Sequence, residues 1–244
     1  MSENIEFTRG GKTIAIGMVA ASLIFSISFY VSRVANPGEL SVTGSARMHV
    51  TSDTVKWTVQ LSRLTDANGL QRTYTDLEAD RKKLQAVLVD HSIPSNIIET
   101  SQVFTEQDYS YNTYDVNAPR RYNVRQTVTV QSNDIANVTE VAKNIQNLVS
   151  VGSVVSTASL EYLYSKLPEL RVNLLSDAVK DAKTRAEKIA ESSGSKVGAL
   201  HAASQGVVQV MAPNSVEVSD YGAYDTSSIE KEVMATVRAS FGVR

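Results

Sequence analysis

The stretch Val50–Arg63 reads VTSDTVKWTVQLSR, and its second half sets the fold class. Val55, Trp57, Val59 and Leu61 alternate with Lys56, Thr58, Gln60 and Ser62. A period of two places the first set on one face of a pleated strand and the second on the other. One face is apolar and one is polar, as in an antiparallel sheet covered on a single side. Trp57, the one tryptophan, falls on the apolar face, where core packing outranks a ligand-stacking role.

The residues that follow supply the cover. Asp66-Ala67-Asn68-Gly69 closes the strand, and Leu70, Tyr74, Leu77, Leu84 and Leu88 then recur at helical spacing up to His91. Asp76, Glu78, Asp80, Arg81 and Lys82 lie between them, so this is an amphipathic helix, ended by Pro94. Strands are expected at Ile97–Tyr111 and Arg121–Gln131, forming a long hairpin around the loop Asn112–Arg120, with Tyr109, Tyr111, Tyr114 and Tyr122 clustered there. Ser132-Asn133-Asp134 is an N-cap cluster. Ile135, Val138, Val141, Ala142, Ile145, Leu148 and Val149 mark a second amphipathic helix, followed by a β-region at Ser153–Ser165.

The longest helical pattern runs Pro168–Ser193, with Pro168 at its first position and Gly194 as its stop. Leu170, Leu174, Ala178, Ala182, Ala186 and Ile189 line one side, and the alanines predict close packing on a sheet. A short strand at Gly206–Met211, a loop from Pro213 to Ser228 and a terminal strand at Glu232–Arg244 complete this part. In the terminal strand Val233, Ala235, Val237, Ala239, Phe241 and Val243 form one row, which predicts pairing inside a sheet. Upstream, Leu40–Ala46 reads as a strand and Asn36-Pro37-Gly38 as a turn. Strands and helices mix without strict alternation, so the fold class is α+β, antiparallel sheet covered by amphipathic helices.

Thr13–Ser32, TIAIGMVAASLIFSISFYVS, contains no charge, Pro, Asn or Gln. As a helix it is about 30 Å long, the thickness of a bilayer hydrocarbon core. Three readings compete: an uncleaved membrane anchor, a cleaved secretory signal and a buried core helix. The run exceeds the apolar region of a typical signal, and Arg33 and Pro37 crowd any cleavage site. A core helix of this length normally carries a polar face. The anchor is therefore the preferred reading. Arg9 and Lys12 precede the span, which by the positive-inside rule leaves the N-terminus in the cytoplasm. The expected organisation is a cytoplasmic tail at 1–12, a single-pass inner-membrane anchor at 13–33, a linker at 34–39 and an exported α+β domain at 40–244. Gly17 and Ala21, and Ser22 and Ser26, have small-xxx-small spacing, which is common in any span.

Composition narrows the chemistry. There is no cysteine, which excludes disulfides, thiolate metal sites and a cysteine nucleophile. The net charge of −2 gives no reason to expect nucleic acid as a partner. His49, His91 and His201 are far apart and none has a second histidine at metal-ligand spacing. Asp177 and Asp181 share a helix face with Lys180, Lys183, Arg185 and Lys188 nearby, the pattern of a solvated face with ion pairs. Gly194-Ser195-Lys196-Val197-Gly198 follows a helix, the wrong polarity for binding phosphate. Arg120, Arg121 and Arg125 beside the tyrosines read as a polar hairpin tip before a grip on nucleic acid or anionic lipid. The loop Asp220-Tyr221-Gly222-Ala223-Tyr224-Asp225 reads as a subunit contact before a carboxylate cation site. No nucleotide or hydrolase motif occurs. The residues therefore nominate no catalytic, cofactor-binding or metal site.

Several local sequences are similar to the SIMPL domain family of bacterial periplasmic or membrane-anchored proteins. Leu40-Ser41-Val42-Thr43-Gly44-Ser45-Ala46 resembles that family's V-x-G-x-G/A opening, and Asp53 falls where the family carries Asp before its first main strand. Ile93-Pro94-Ser95-Asn96-Ile97-Ile98-Glu99-Thr100-Ser101 resembles its G-I-x-x-x-D-I-x-T turn, with Ser92 in place of the usual Gly. Tyr122, Val124, Val128 and Val130 match its Y-x-A-x-x-x-V-x-V strand. Ala178, Ala182, Ala186, Ile189, Ala190, Gly194 and Gly198 match its alanine-rich helix and G-x-x-x-G exit.

The resemblance covers Leu40 to Arg244. It implies an α+β fold, in at least one member a large ring-like homo-oligomer, and no catalytic residue. The expected function is that of a non-enzymatic, membrane-anchored protein. It forms a large, ring- or channel-like homo-oligomer on the exported side, in envelope stress protection or scaffolding. Its partners would be lipid, through 13–33, and further copies of itself. The alternative is a small-molecule or peptide-binding module of the envelope using Trp57, Tyr109, Tyr111 and Tyr122. A hydrolase would require His49, His91 or His201 to meet an Asp or Ser.

Overall fold

The computed structural model describes residues 9–35, 38–109, 120–215 and 221–244. Its elements are α1 (Arg9–Ala35), β1 (Gly38–Thr51), β2 (Thr54–Asp66), α2 (Leu70–Asp90), β3 (Ile98–Thr100) and β4 (Phe104–Asp108). β5 (Arg121–Ser132), α3 (Ile135–Leu148), β6 (Val154–Leu163), α4 (Leu167–Ser192), β7 (Val197–Gln205), β8 (Gln209–Met211) and β9 (Glu230–Val243) follow. The class is mixed α+β with antiparallel sheets, as the strand patterns predict. The chain divides into two compact units: Met1–Ala46 with Leu175–Gly206 and Thr236–Arg244, and Arg47–Leu174 with Val207–Ala235.

In the larger unit the sheet order is β3-β5-β2-β6, with β4 also on β5. β2 is central and antiparallel to both neighbours, Trp57 lying opposite Val130 on β5 and Leu160 on β6. Val55, Trp57, Val59 and Leu61 are fully buried, joined by Val124, Val128 and Val130 of β5. α2 adds Leu77, Leu84 and Leu88 to the same core, and α3 adds Val138, Val141, Ala142 and Ile145. The α3 cap is the expected one: the Asp134 side chain accepts from the Asn137 N–H at 3.1 Å. Trp57 belongs to the core, and its Nε1 donates to Thr157 Oγ1 at 3.2 Å.

Several strand boundaries differ from the sequence reading. The strand expected at Gly206–Met211, for one, is only Gln209–Met211, and the Gly206 amide instead donates to Thr236 O. Val50 and Thr51 belong to β1, not β2. The break falls at Ser52 and Asp53, whose amides donate to Ile229 O and Leu163 O. The expected strand Ile97–Tyr111 is a 3-10 turn at Ser95–Ile97 followed by two short strands, β3 and β4. Ser101 makes that interruption. Its N–H donates to Thr127 O, its Oγ accepts from Thr127 N and its carbonyl accepts from Gln126 Nε2.

In the smaller unit the strands are ordered β1-β9-β7. Ala178, Ala182 and Ala186 of α4 are fully buried against Val237, Ala239 and Phe241 of β9. The alanine stripe permits the close approach read from the sequence. At Gly44 of β1 there is no room for a side chain: an added Cβ would come 2.7 Å from Ala182 Cβ and nearer still to the Ala178 carbonyl and Ala182 amide. Toward the end of α4 the buried residue is Ala190, not Ile189, which is 48% exposed. β7, for which the sequence pattern predicts no element, is a full strand whose side chains from Ala199 to Gln205 are exposed.

Candidate functional site

α1 carries the most unusual surface. Its large apolar side chains, Ile14, Ile16, Met18, Val19, Leu23, Ile24, Phe25, Ile27, Phe29, Tyr30 and Val31, are each 54–73% exposed. Ser22 turns its hydroxyl inward, donating to Val19 O at 2.8 Å, so this polar group is satisfied within the helix. Side chains are described continuously from Ile16 to Val31, short of the roughly 20 residues a span requires. Among the described residues, no helix is long and apolar enough to cross a membrane.

Among the described residues of the larger unit, three polar clusters tie different segments of the chain together. Asp80 is almost fully buried. It accepts from Arg63 Nε at 2.8 Å and Nη2 at 2.5 Å, and from Ser153 Oγ at 2.5 Å. Burial pushes its carboxyl up, but the bonds from Ser153 and Arg63 outweigh burial and hold it below the usual carboxylate range. Both Asp80 oxygens are engaged, and Arg63 also reaches Asp76 at 3.5 Å, so the cluster is a cross-brace between β2, α2 and the segment before β6.

The second cluster surrounds Lys231, which is fully buried. Its Nζ donates to the Asp225 and Ser228 carbonyls, both at 2.6 Å, with the Asp225 carboxylate at 3.8 Å. Burial pushes the lysine down, and Asp225 only partly offsets this. Burial also disfavours the charged Asp225 carboxylate. The donors of Ser227 and Ser228, with Lys231, overcome this and bring it to about 2. The cation thereby pins the loop Tyr221–Ile229. The third cluster is Asp53, which accepts from Ser165 N at 2.8 Å and Ser165 Oγ at 2.7 Å. There too burial is outweighed by hydrogen bonds, and the carboxyl is held low.

The residues singled out in the sequence do not converge. His49 lies 3.5 Å from Glu232, His91 Nδ1 lies 2.9 Å from Val87 O, and His201 is exposed on β7. Among the described residues no three His, Cys, Asp or Glu side chains could hold a metal. Asp177 pairs with Lys180 and Asp181 with Arg185. Asp181 does more than solvate a face. It accepts from the Ser45 N–H at 2.8 Å, and this bond, with the one from Arg185, lowers its carboxyl below the ordinary range. Arg125 pairs with Glu106 at 3.0 Å. Tyr109 is exposed and Tyr122 half-buried, while Trp57 is sealed in the core. Tyr111, Tyr114, most of the hairpin loop and Asp220 lie outside the described residues.

One cleft was missed in the sequence. Between the end of α2 and the outer face of α3 lies a groove of about 410 Å3, lined by His91, Ser92, Asn137, Glu140, Val141 and Asn144. The end of α2 is a Schellman motif, with Ile93 N donating to Leu88 O and Ser92 N to Val89 O. Ser92 there takes φ 63°, a left-handed conformation unusual for a serine.

No curated protein matches the chain. A solved structure described as the regulatory subunit of aspartate kinase from Thermus thermophilus (ligand free form) is 13% identical. The match covers 80% of this chain and 87% of that one at a TM-score of 0.15, too poor a superposition to support any argument. The family model SIMPL, described as "Protein of unknown function (DUF541)", matches residues 40–241. That span contains the Gly44 contact, the alanine-lined α4, the Asp53 cluster and the Ser92 turn, and the chain belongs to the SIMPL family.

Proposed function

We propose that the protein is a non-enzymatic, membrane-anchored SIMPL-domain protein that assembles into a homo-oligomer on the exported side of the inner membrane, as an envelope scaffold or in stress protection. The observation that carries this reading is α1, an uncharged surface of exposed Ile, Leu, Phe, Val and Met ahead of the family domain. Apolar area of that extent is unfavourable in water at roughly 25 cal/mol per Å2, and a bilayer removes it. Residues 13–33 are the anchor, with Arg9 and Lys12 on the cytoplasmic side. Asp80, Asp53, Asp225 and Lys231 are all engaged in bracing contacts, which supports the non-enzymatic reading.

Fractionation of cells expressing the full chain and a chain lacking residues 1–36 tests the anchor. The full chain should stay in carbonate-washed membranes and the truncated one should leave them, folded by circular dichroism. Retention of the truncated protein overturns the reading. Light scattering of the detergent-solubilised full chain tests assembly, and a monodisperse monomer over a wide concentration range overturns it.

A further inference from the structure

The groove between the end of α2 and α3 opens over the core residue Val141, and its polar groups are aimed by their own hydrogen bonds. Asn137 Nδ2 donates to the His91 carbonyl at 2.9 Å, and Asn144 Nδ2 donates to the Glu140 carbonyl at 3.1 Å. A carbonyl only accepts, so each amide is tethered through one N–H of its nitrogen and keeps Oδ1 available as an acceptor. The same logic applies to His91. Its Nδ1 faces Val87 O and therefore carries the ring proton, leaving Nε2 with a lone pair in the neutral ring.

Glu140 completes the set. Its carboxylate has no hydrogen bond or ion pair among the described residues, as is true also of Glu169 at the start of α4, but Glu140 alone of the two lines a groove. The C-terminus of α2 adds a partial negative charge of about half a unit. Ser92 keeps a hydroxyl at the lip in a backbone conformation that glycine would hold without strain, and strain of this kind marks functional positions. The floor is Val141, 3% exposed.

The lining thus offers lone pairs and net negative charge over a small apolar base. An anion would meet like charge, and an apolar ligand would leave acceptors unpaired. A metal ion would find only Glu140 and His91 as strong ligands. An alkylammonium group has three N–H donors, no acceptor and a positive charge, and its methylene stem suits Val141. We infer that this groove binds a primary alkylammonium group, carried either by a free di- or polyamine or by a lysine side chain.

Calorimetric titration of the detergent-solubilised full chain at low ionic strength tests this, with putrescine, Nα-acetyl-lysine amide and tetramethylammonium as probes. Putrescine, the lysine amide or both should bind saturably, and the tighter of the two identifies the source. Tetramethylammonium, which has charge but no N–H, should not bind. Glu140→Gln and Asn144→Ala should each weaken binding roughly tenfold, the value of one charge-assisted hydrogen bond. Ser92→Gly, which cannot disturb the fold by strain, should weaken it less. Asp177→Asn, which removes an equal charge elsewhere, should leave it unchanged. The proposal is overturned if neither amine binds, if tetramethylammonium binds equally, if Glu140→Gln has no effect, or if Asp177→Asn weakens binding as much as Glu140→Gln does.

Discussion

The two units of this chain bury their cores by opposite means. In the larger, Trp57, Leu61, Leu77, Leu84 and Leu88 fill a wide gap between sheet and helices. In the smaller, Ala178, Ala182 and Ala186 bring α4 almost to backbone contact with β1 at Gly44 and pack against Val237, Ala239 and Phe241 of β9. Side-chain size therefore sets the spacing of the layers, and it also sets which kind of change each core resists. A wide core loses stability when volume is removed, because a cavity remains. A core built on alanine and glycine loses it when volume is added, because backbone atoms cannot move aside.

Gly44→Val is the sharpest way to break that contrast. The new Cβ would fall on the Ala178 carbonyl and Ala182 amide, neither of which has a rotamer to change. The expected loss is at least about 4 kcal/mol, read from urea unfolding of the detergent-solubilised chain. Val59→Ala, in the wide core, should cost about 2 kcal/mol by leaving a cavity. Equal losses would mean that layer spacing is not the governing variable.

Arg63→Met tests the larger unit where it is polar. Removing the cation leaves Asp80 buried without its counter-charge, at an expected cost of about 3 kcal/mol at pH 7. The pH dependence has a definite sign. In the native protein Asp80 is held below the ordinary carboxylate range, so its contribution is full above the unfolded value near ~4 and is lost as pH falls through the lower folded value. Without Arg63, burial raises Asp80 instead, and protonation relieves the variant. The stability gap between native chain and Arg63→Met should therefore narrow between pH 7 and pH 3, and a constant gap would contradict this account.

The contrast also explains what the sequence revealed. Alternation in Val55–Leu61 and in Val237–Phe241 was legible because each stretch has one buried face, whereas over Lys231–Ala235 both faces of β9 are buried and the alternation there reflects residue type alone. The alanine stripe was legible because helical spacing persists when the residues are small. β7 was not, since Val197–Gln205 is rich in Gly and Ala and nearly all exposed, so burial imposes no alternation. The break between β3 and β4 was hidden because alternation continues through it while Ser101 diverts the ladder. The cluster of Arg63, Asp80 and Ser153 joins β2, α2 and the segment before β6, and Asn137 meets His91 across the groove, while Lys231 and Asp225 are six residues apart and meet only because the loop between them folds back. No spacing along the chain announces such meetings, and none of these residues lies in the family motifs.

The smallest expected effect isolates a single backbone position, because each unit ends a helix in the same way. α2 closes with Ile93 N to Leu88 O and Ser92 N to Val89 O, and α4 closes with Ser195 N to Ala190 O and Gly194 N to Glu191 O. The left-handed residue is Ser92 in one, φ 63°, and Gly194 in the other, φ 73°. Nothing lies within 4 Å of a Cβ added at Gly194, so Gly194→Ser would add backbone strain and no clash. A left-handed conformation costs a non-glycine residue about 1–2 kcal/mol, and glycine's greater loss of chain entropy offsets about half of that. Ser92→Gly should therefore gain, and Gly194→Ser lose, about 0.5–1 kcal/mol in urea unfolding, with the double exchange near zero. If Ser92→Gly instead lowers stability, the serine hydroxyl must contribute more to the folded chain than its strain removes, and the two helix ends would not be equivalent after all.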